Sequence, residues 1–164
     1  MKNFAIEIKW AVLLSMATIA FSYLAKYLGY YDAKIAYYQV FSLLIAPLWL
    51  VIYFLAIREK KIEFFNSKMD WKRGFVSGII IAAIAAFLAP FGEWYTYEVI
   101  APNYFSDAAN LVTDSGKMTQ EQAKTYFSLN SFIMQSIFST LSGGVVIAAI
   151  VAFILKTKTN VNEK

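Results

Sequence analysis

The chain contains no cysteine and no histidine. The first absence excludes disulfides, thiolate nucleophiles and c-type haem attachment. Together the two exclude Cys/His zinc sites and a histidine general base. A metal would find only carboxylate and carbonyl oxygens, and the sequence predicts neither a metal site nor a cofactor. Charge is scarce as well: 16% of the 164 residues are charged, against 59% hydrophobic and 18% aromatic. The mean hydropathy of +0.52 lies far from that of soluble domains. Lone carboxylates such as Glu93, Glu98 and Asp107 have no nucleophile–base pairing beside them, so no enzymatic activity is expected. The net charge of +4 does not point to nucleic acid, because the basic residues cluster beside apolar runs and form no groove-sized patch.

What is present is apolar length. Four runs, at about residues 10–28, 35–57, 74–97 and 128–155, meet or approach the roughly 20 residues a helix needs to cross a bilayer. The expectation is a single all-α domain over 1–164, an integral membrane four-helix bundle. A cytoplasmic loop at 58–73 and an extracytoplasmic helical loop at 98–127 join its spans. The first run is too long for a cleaved signal peptide, carries bulky residues around Tyr27 to Tyr31 and has no A-x-A-like site after it, so it is expected to remain as a span.

Cations set the expected orientation. Eleven Lys and Arg fall on the side of the termini and the 58–73 loop, and only Lys26, Lys34, Lys117 and Lys124 on the other. The positive-inside rule therefore predicts both termini in the cytoplasm. Trp10 and Trp71 fit an inner aromatic belt. Tyr27, Tyr30, Tyr31, Tyr37, Tyr38, Trp94, Tyr95 and Tyr97 fit an outer one, where a ring can keep one edge wet.

Local signals refine this frame. Tyr30 to Lys34 reads as a short outer turn. Pro47 and Pro90 should kink their spans, and Pro102 should end the extension of the third. Ser106 is a candidate cap for a short helix through about Val112, Ser115-Gly116 a break, and Thr119 with Gln122 a capping box whose helix would run toward span four. The segment Arg58–Arg73 fits either a short interfacial helix or an ordinary basic loop that sets topology. The polar tail Lys156–Lys164 is expected to be disordered.

Hydrophobicity cannot drive helices together in lipid, so small residues mark the contacts. Span three offers Gly74, Gly78, Ala82, Ala86 and Pro90 at i, i+4 spacing. Span four offers Ser136, Thr140, Gly144, Ala148 and Ala152, with Gly143 adjacent. Ala11, Ser15, Thr18, Ser22 and Ala25 share one face of span one. The prediction is a close pair of spans three and four, with span one against them and bulky span two most exposed to lipid. The candidate site follows from depth. Lys26, Glu93 and Gln135 lie at similar distances from the inner boundary, and Ser128, Ser131, Gln135, Ser139 and Ser142 run down the outer half of span four. Ionisable groups in spans seek a partner or water. Two arrangements fit: a structural Lys26–Glu93 pair with Gln135 nearby, or a small outward-facing polar vestibule for an ion or proton.

The order of motifs resembles a known family. Arg58-Glu59-Lys60 closes span two, and Trp71-Lys72-Arg73-Gly74-Phe75 with Gly78 opens span three. Trp94-Tyr95-Thr96-Tyr97-Glu98-Val99-Ile100-Ala101-Pro102-Asn103-Tyr104 follows, and Ala152-Phe153-Ile154-Leu155-Lys156 ends span four. This resembles domain-of-unknown-function family 4199, small four-span membrane proteins mainly of Bacteroidota, over nearly the whole chain. The resemblance implies a multi-pass protein of the bacterial cytoplasmic (inner) membrane and carries no catalytic residues with it. The leading expectation is a non-enzymatic accessory or scaffold subunit acting through lipid or protein association, with a membrane-protein partner or a second copy of itself. The alternative is a small transporter or channel component built around Glu93.

Overall fold

The computed structural model describes residues 4–157, and among them every regular element is helical. In chain order these are α1 (Ala5–Tyr27), a 3-10 turn (Ile35–Tyr37), α2 (Tyr38–Ser42), α3 (Ile45–Glu63) and α4 (Trp71–Tyr95). A π-helical turn (Thr96–Ile100) extends α4, and α5 (Tyr104–Asp114), α6 (Gln120–Tyr126) and α7 (Leu129–Leu155) follow. Four stretches, Ala5–Tyr27, Ile35–Glu63, Trp71–Ile100 and Leu129–Leu155, are long and apolar enough to cross a membrane, as in a multi-pass membrane protein.

Breaks between elements have local causes. Proline has no N–H, and its ring crowds the carbonyl four residues earlier. For Pro47 that carbonyl belongs to Leu43, and the second span breaks there, with α2 ending at Ser42 and α3 starting at Ile45. Pro102 stops the extension of span three: the π turn ends at Ile100, and Ala101 leaves helical geometry at φ −136°. Gly29, at φ +80°, closes α1 in a left-handed turn that donates Tyr30 N–H to Ala25 C=O at 2.9 Å. Thr119 and Gln122 form the capping box of α6.

Other local signals resolve differently. α5 begins at Tyr104 after Asn103. Ser106 lies inside its first turn, where its hydroxyl donates to the Asn103 carbonyl at 2.9 Å. The helix starts early because Tyr104 and Ala108 are buried together. α6 and α7 are separate: Phe127 leaves helical geometry, and Ser128 caps α7 by accepting the Ser131 N–H at 3.3 Å. The basic segment 58–73 forms no interfacial helix of its own. α3 runs through Arg58 to Glu63, and a short turn with Asn66 and Ser67 at positive φ leads into α4. Of the tail Lys156–Lys164, Lys156 and Thr157 are described. Thr157 N–H donates to the Met69 carbonyl at 2.7 Å. The rest of the tail lies outside the described residues.

α4 packs along α7, with α1 against α4 and α3 against α1, α4 and α7. A side chain at Gly78 would fall on Ala148, and one at Gly74 would meet Ala152 Cβ at 3.1 Å. At Gly144 it would meet Ala82 Cβ at 2.7 Å and collide with the Tyr53 hydroxyl. Gly143 lies off this ridge, with Trp49 at an ordinary 3.8 Å. Span two is not the most exposed span: 28% of its apolar window is buried, against 17% for α1. The reason is Tyr53, fully buried with Ala56 and Ile57, whose ring uses the room that Gly144 leaves.

Candidate functional site

Lys26, Glu93 and Gln135 make no hydrogen bond or ion pair with one another among the described residues. Lys26 pairs with Asp32, Nζ to Oδ2 3.0 Å, at the end of α1. Gln135 is exposed on α7, roughly 180° around the helix from the centre of the buried Thr140–Gly144–Ala148 row at 100° per residue. Ser139 and Ser142 are exposed with it, and their hydroxyls return to the carbonyls of Ser136 and Phe138. Glu93 alone points inward. It is half-buried and makes no hydrogen bond or ion pair among the described residues.

Around Glu93 the space is occupied by rings. Tyr31, Tyr97 and Tyr104 are buried. Tyr31 meets Tyr104 edge-on at 5.4 Å, and Tyr97 packs on Phe105 at 4.5 Å and on Phe132 at 5.2 Å. The Tyr31 and Tyr38 hydroxyls share a hydrogen bond of 3.1 Å. Burial holds the Tyr31 and Tyr104 hydroxyls above the ordinary phenol value, and the nearby Glu93 carboxylate adds to the effect. Tyr31 and Tyr97 therefore serve as core rather than as a wet belt. Tyr27, 88% exposed, Tyr37 and Trp94 stay outside. The pattern of tyrosines is the same in sequence for both sets; which of them turn inward depends on α5 and the 3-10 turn closing over them.

Among the described residues the most buried charges lie at the opposite end, where α1 begins and α7 finishes, called the termini end below. Glu7 of α1 and Lys60 of α3 form an ion pair, Nζ to Oε1 2.9 Å, with side chains 2% and 5% exposed. Ser77 of α4 donates to the same Glu7 oxygen at 2.8 Å, and the Lys60 ammonium stands 4.0 Å from the Phe64 ring centroid. Three helices are thus joined through one carboxylate. A second pair lies beside it: Glu59 accepts from Trp10 Nε1 at 2.9 Å and pairs with Lys9. Lys61 donates to the Leu155 carbonyl at 2.8 Å, satisfying the end of α7.

Sequence inspection missed this cluster because Glu7 and Lys60 lie beyond the apolar runs, where charge reads as topology signal. The signal was one of phase. Glu7 precedes Ala11 by one helical turn and continues its small-residue face, and Lys60 continues the Tyr53–Ala56–Ile57 face of α3. Extending each buried face one turn past its apolar run brings the two charges into register.

Beside the Glu7–Lys60 pair a groove of about 480 Å³ opens between the starts of α1 and α4 and the end of α3. Phe4, Val76 and Ile80 give it apolar walls, and Lys72 and Arg73 stand at its rim. Arg73 is 3.7 Å from Asp70, which caps α4 by accepting the Arg73 N–H at 2.8 Å.

The model of one protein family, described as a protein of unknown function (DUF4199), matches residues 9–157, so the chain belongs to that family. No curated protein and no solved structure matches it.

Proposed function

For this DUF4199 member, whose family description carries no activity, we propose a non-enzymatic role as an accessory or scaffold subunit that acts by association with lipid or protein. The observation that supports it is where the charge goes. Glu7 with Lys60, Lys9 with Glu59 and Lys26 with Asp32 are held in pairs within the chain, and at the end where α1 begins and α7 finishes the exposed surface carries aromatic rings and more cations than acids. In this reading the protein lies in a bacterial inner membrane with both termini and the 58–73 loop in the cytoplasm, following its cation asymmetry, and with the helical α5–α6 segment outside.

Two experiments test it. Single cysteines at Ser67 and Ser115 of this cysteine-free chain are exposed to an impermeant thiol reagent in whole cells. Labelling at Ser115 and protection at Ser67 is the expected result; the reverse overturns the orientation. Purification in mild detergent with mass spectrometry should recover a stoichiometric protein, a second copy or tightly held lipid. A monodisperse chain without any of them removes the association role.

One observation favours a second reading. Glu93 faces the buried tyrosines without an ion-pair partner, the arrangement wanted by a small transporter or channel component that takes an ion or proton from the outer side. Cation-dependent thermal stabilisation that Glu93→Gln abolishes would support it, and indifference to cations and pH would remove it.

A further inference from the structure

The groove beside Glu7 and Lys60 has a chemical gradient along α4. Lys72, Val76 and Ile80 are spaced i, i+4, i+8, one row of the helix face. The row starts with a cation at the helix end and becomes apolar within two turns toward the middle of the span. Val76 is 46% exposed and Phe4 51% exposed, so the apolar walls open sideways, where a bilayer would lie against them.

The lining holds three cations, Lys60, Lys72 and Arg73, against two carboxylates, Glu7 and Asp70. Lys60 is committed to Glu7 in the floor. Arg73 is held only loosely by Asp70, at 3.7 Å with both side chains more than half exposed, and Lys72 is exposed. The lining therefore carries one net positive charge. The whole segment from Arg58 to Arg73 adds to it, with six cations against three acids.

We infer that this groove is a lipid site that seats one phospholipid with a single net negative headgroup charge, its phosphodiester on Lys72 and Arg73 and an acyl chain along Val76, Ile80 and Phe4. A basic rim above an apolar groove between helix ends is the arrangement that recognises anionic headgroups. A zwitterionic headgroup would leave the net charge of the lining uncompensated. This inference rests on the association role proposed above and names its partner.

The test uses the full-length chain, purified in neutral detergent and stripped of lipid. Thermal unfolding is followed with added phosphatidylglycerol, phosphatidylcholine or inorganic phosphate. Phosphatidylglycerol should bind on the order of tenfold more tightly than phosphatidylcholine, and Lys72→Ala with Arg73→Ala should remove that preference. Val76→Trp, which fills the apolar wall and keeps every charge, should weaken both lipids. Lys117→Ala with Lys124→Ala, on the α5–α6 segment, should change neither. Equal binding of the two lipids overturns the inference. Stabilisation by inorganic phosphate equal to that by phosphatidylglycerol also overturns it, in favour of a soluble phosphate ligand. A preference that survives loss of Lys72 and Arg73 removes this site and leaves the association role standing. That role falls separately, if neither lipid nor any protein associates.

Discussion

The two ends of the bundle bury polar atoms by opposite means. At the termini end, Glu7, Lys60 and Ser77 neutralise one another inside the protein. At the other end the interior is filled with phenol rings from Tyr31, Tyr97 and Tyr104, each of which brings one hydroxyl and a large apolar face. The charges at that end stay near the surface, as in the exposed Lys26–Asp32 pair, apart from Glu93. A buried ion pair holds three helices at one point and is intolerant of losing a member. A ring cluster spreads its contacts over many neighbours and tolerates the loss of one polar atom. The termini end should accordingly be brittle and the tyrosine end forgiving.

The sharpest way to break this contrast is to remove one member of the buried pair. Lys60→Met strands the Glu7 carboxylate and should cost about 3–5 kcal/mol in detergent thermal unfolding, the largest single effect in the molecule. Stability close to that of the unaltered chain would mean that Glu7 reaches water. Next in size is Gly78→Leu, whose side chain would occupy the place of Ala148; overpacking of this kind costs about 1–3 kcal/mol. Gly143→Ala, on the facing helix α7 but off the ridge, is the control and should be nearly silent. At the tyrosine end, Tyr31→Phe removes one hydroxyl bonded to Tyr38 and should cost about 1 kcal/mol. The smallest effect belongs to the exposed Lys26–Asp32 pair, for which a double-mutant cycle should give a coupling of less than about 1 kcal/mol. A value matching that of a buried pair would erase the difference between the ends.

Spans and caps were legible because they depend on short-range chemistry. Apolar length defines four helices, and Pro47, Pro102, Gly29 and the Thr119–Gln122 box act within a turn of where they stand. The Gly74–Gly78 and Gly144 spacing marks a helix face in the same local way. Direction across the bundle was less legible. Counting along the spans gives Lys26 and Glu93 similar depths, but Asp32 stands six residues from Lys26 along the chain and takes its charge first. Gln135 lies on the exposed side of α7. Span two was expected to be the most exposed because the bulk of its side chains, Tyr53 included, says nothing of the glycine opposite them. Glu7 and Lys60 were hidden for a related reason: a charge beyond an apolar run has the same local signature whether it faces solvent or a partner on another helix.

Glu7 and Lys60 act as one neutral unit that fixes the termini end. The most direct measurement is a double-mutant cycle of thermal stability in detergent with Glu7→Gln, Lys60→Met and the combined variant. The combined variant should be more stable than Lys60→Met alone, with a coupling of roughly 1–3 kcal/mol, because no unpaired charge is left buried. Losses that simply add, with no recovery in the combined variant, would contradict it.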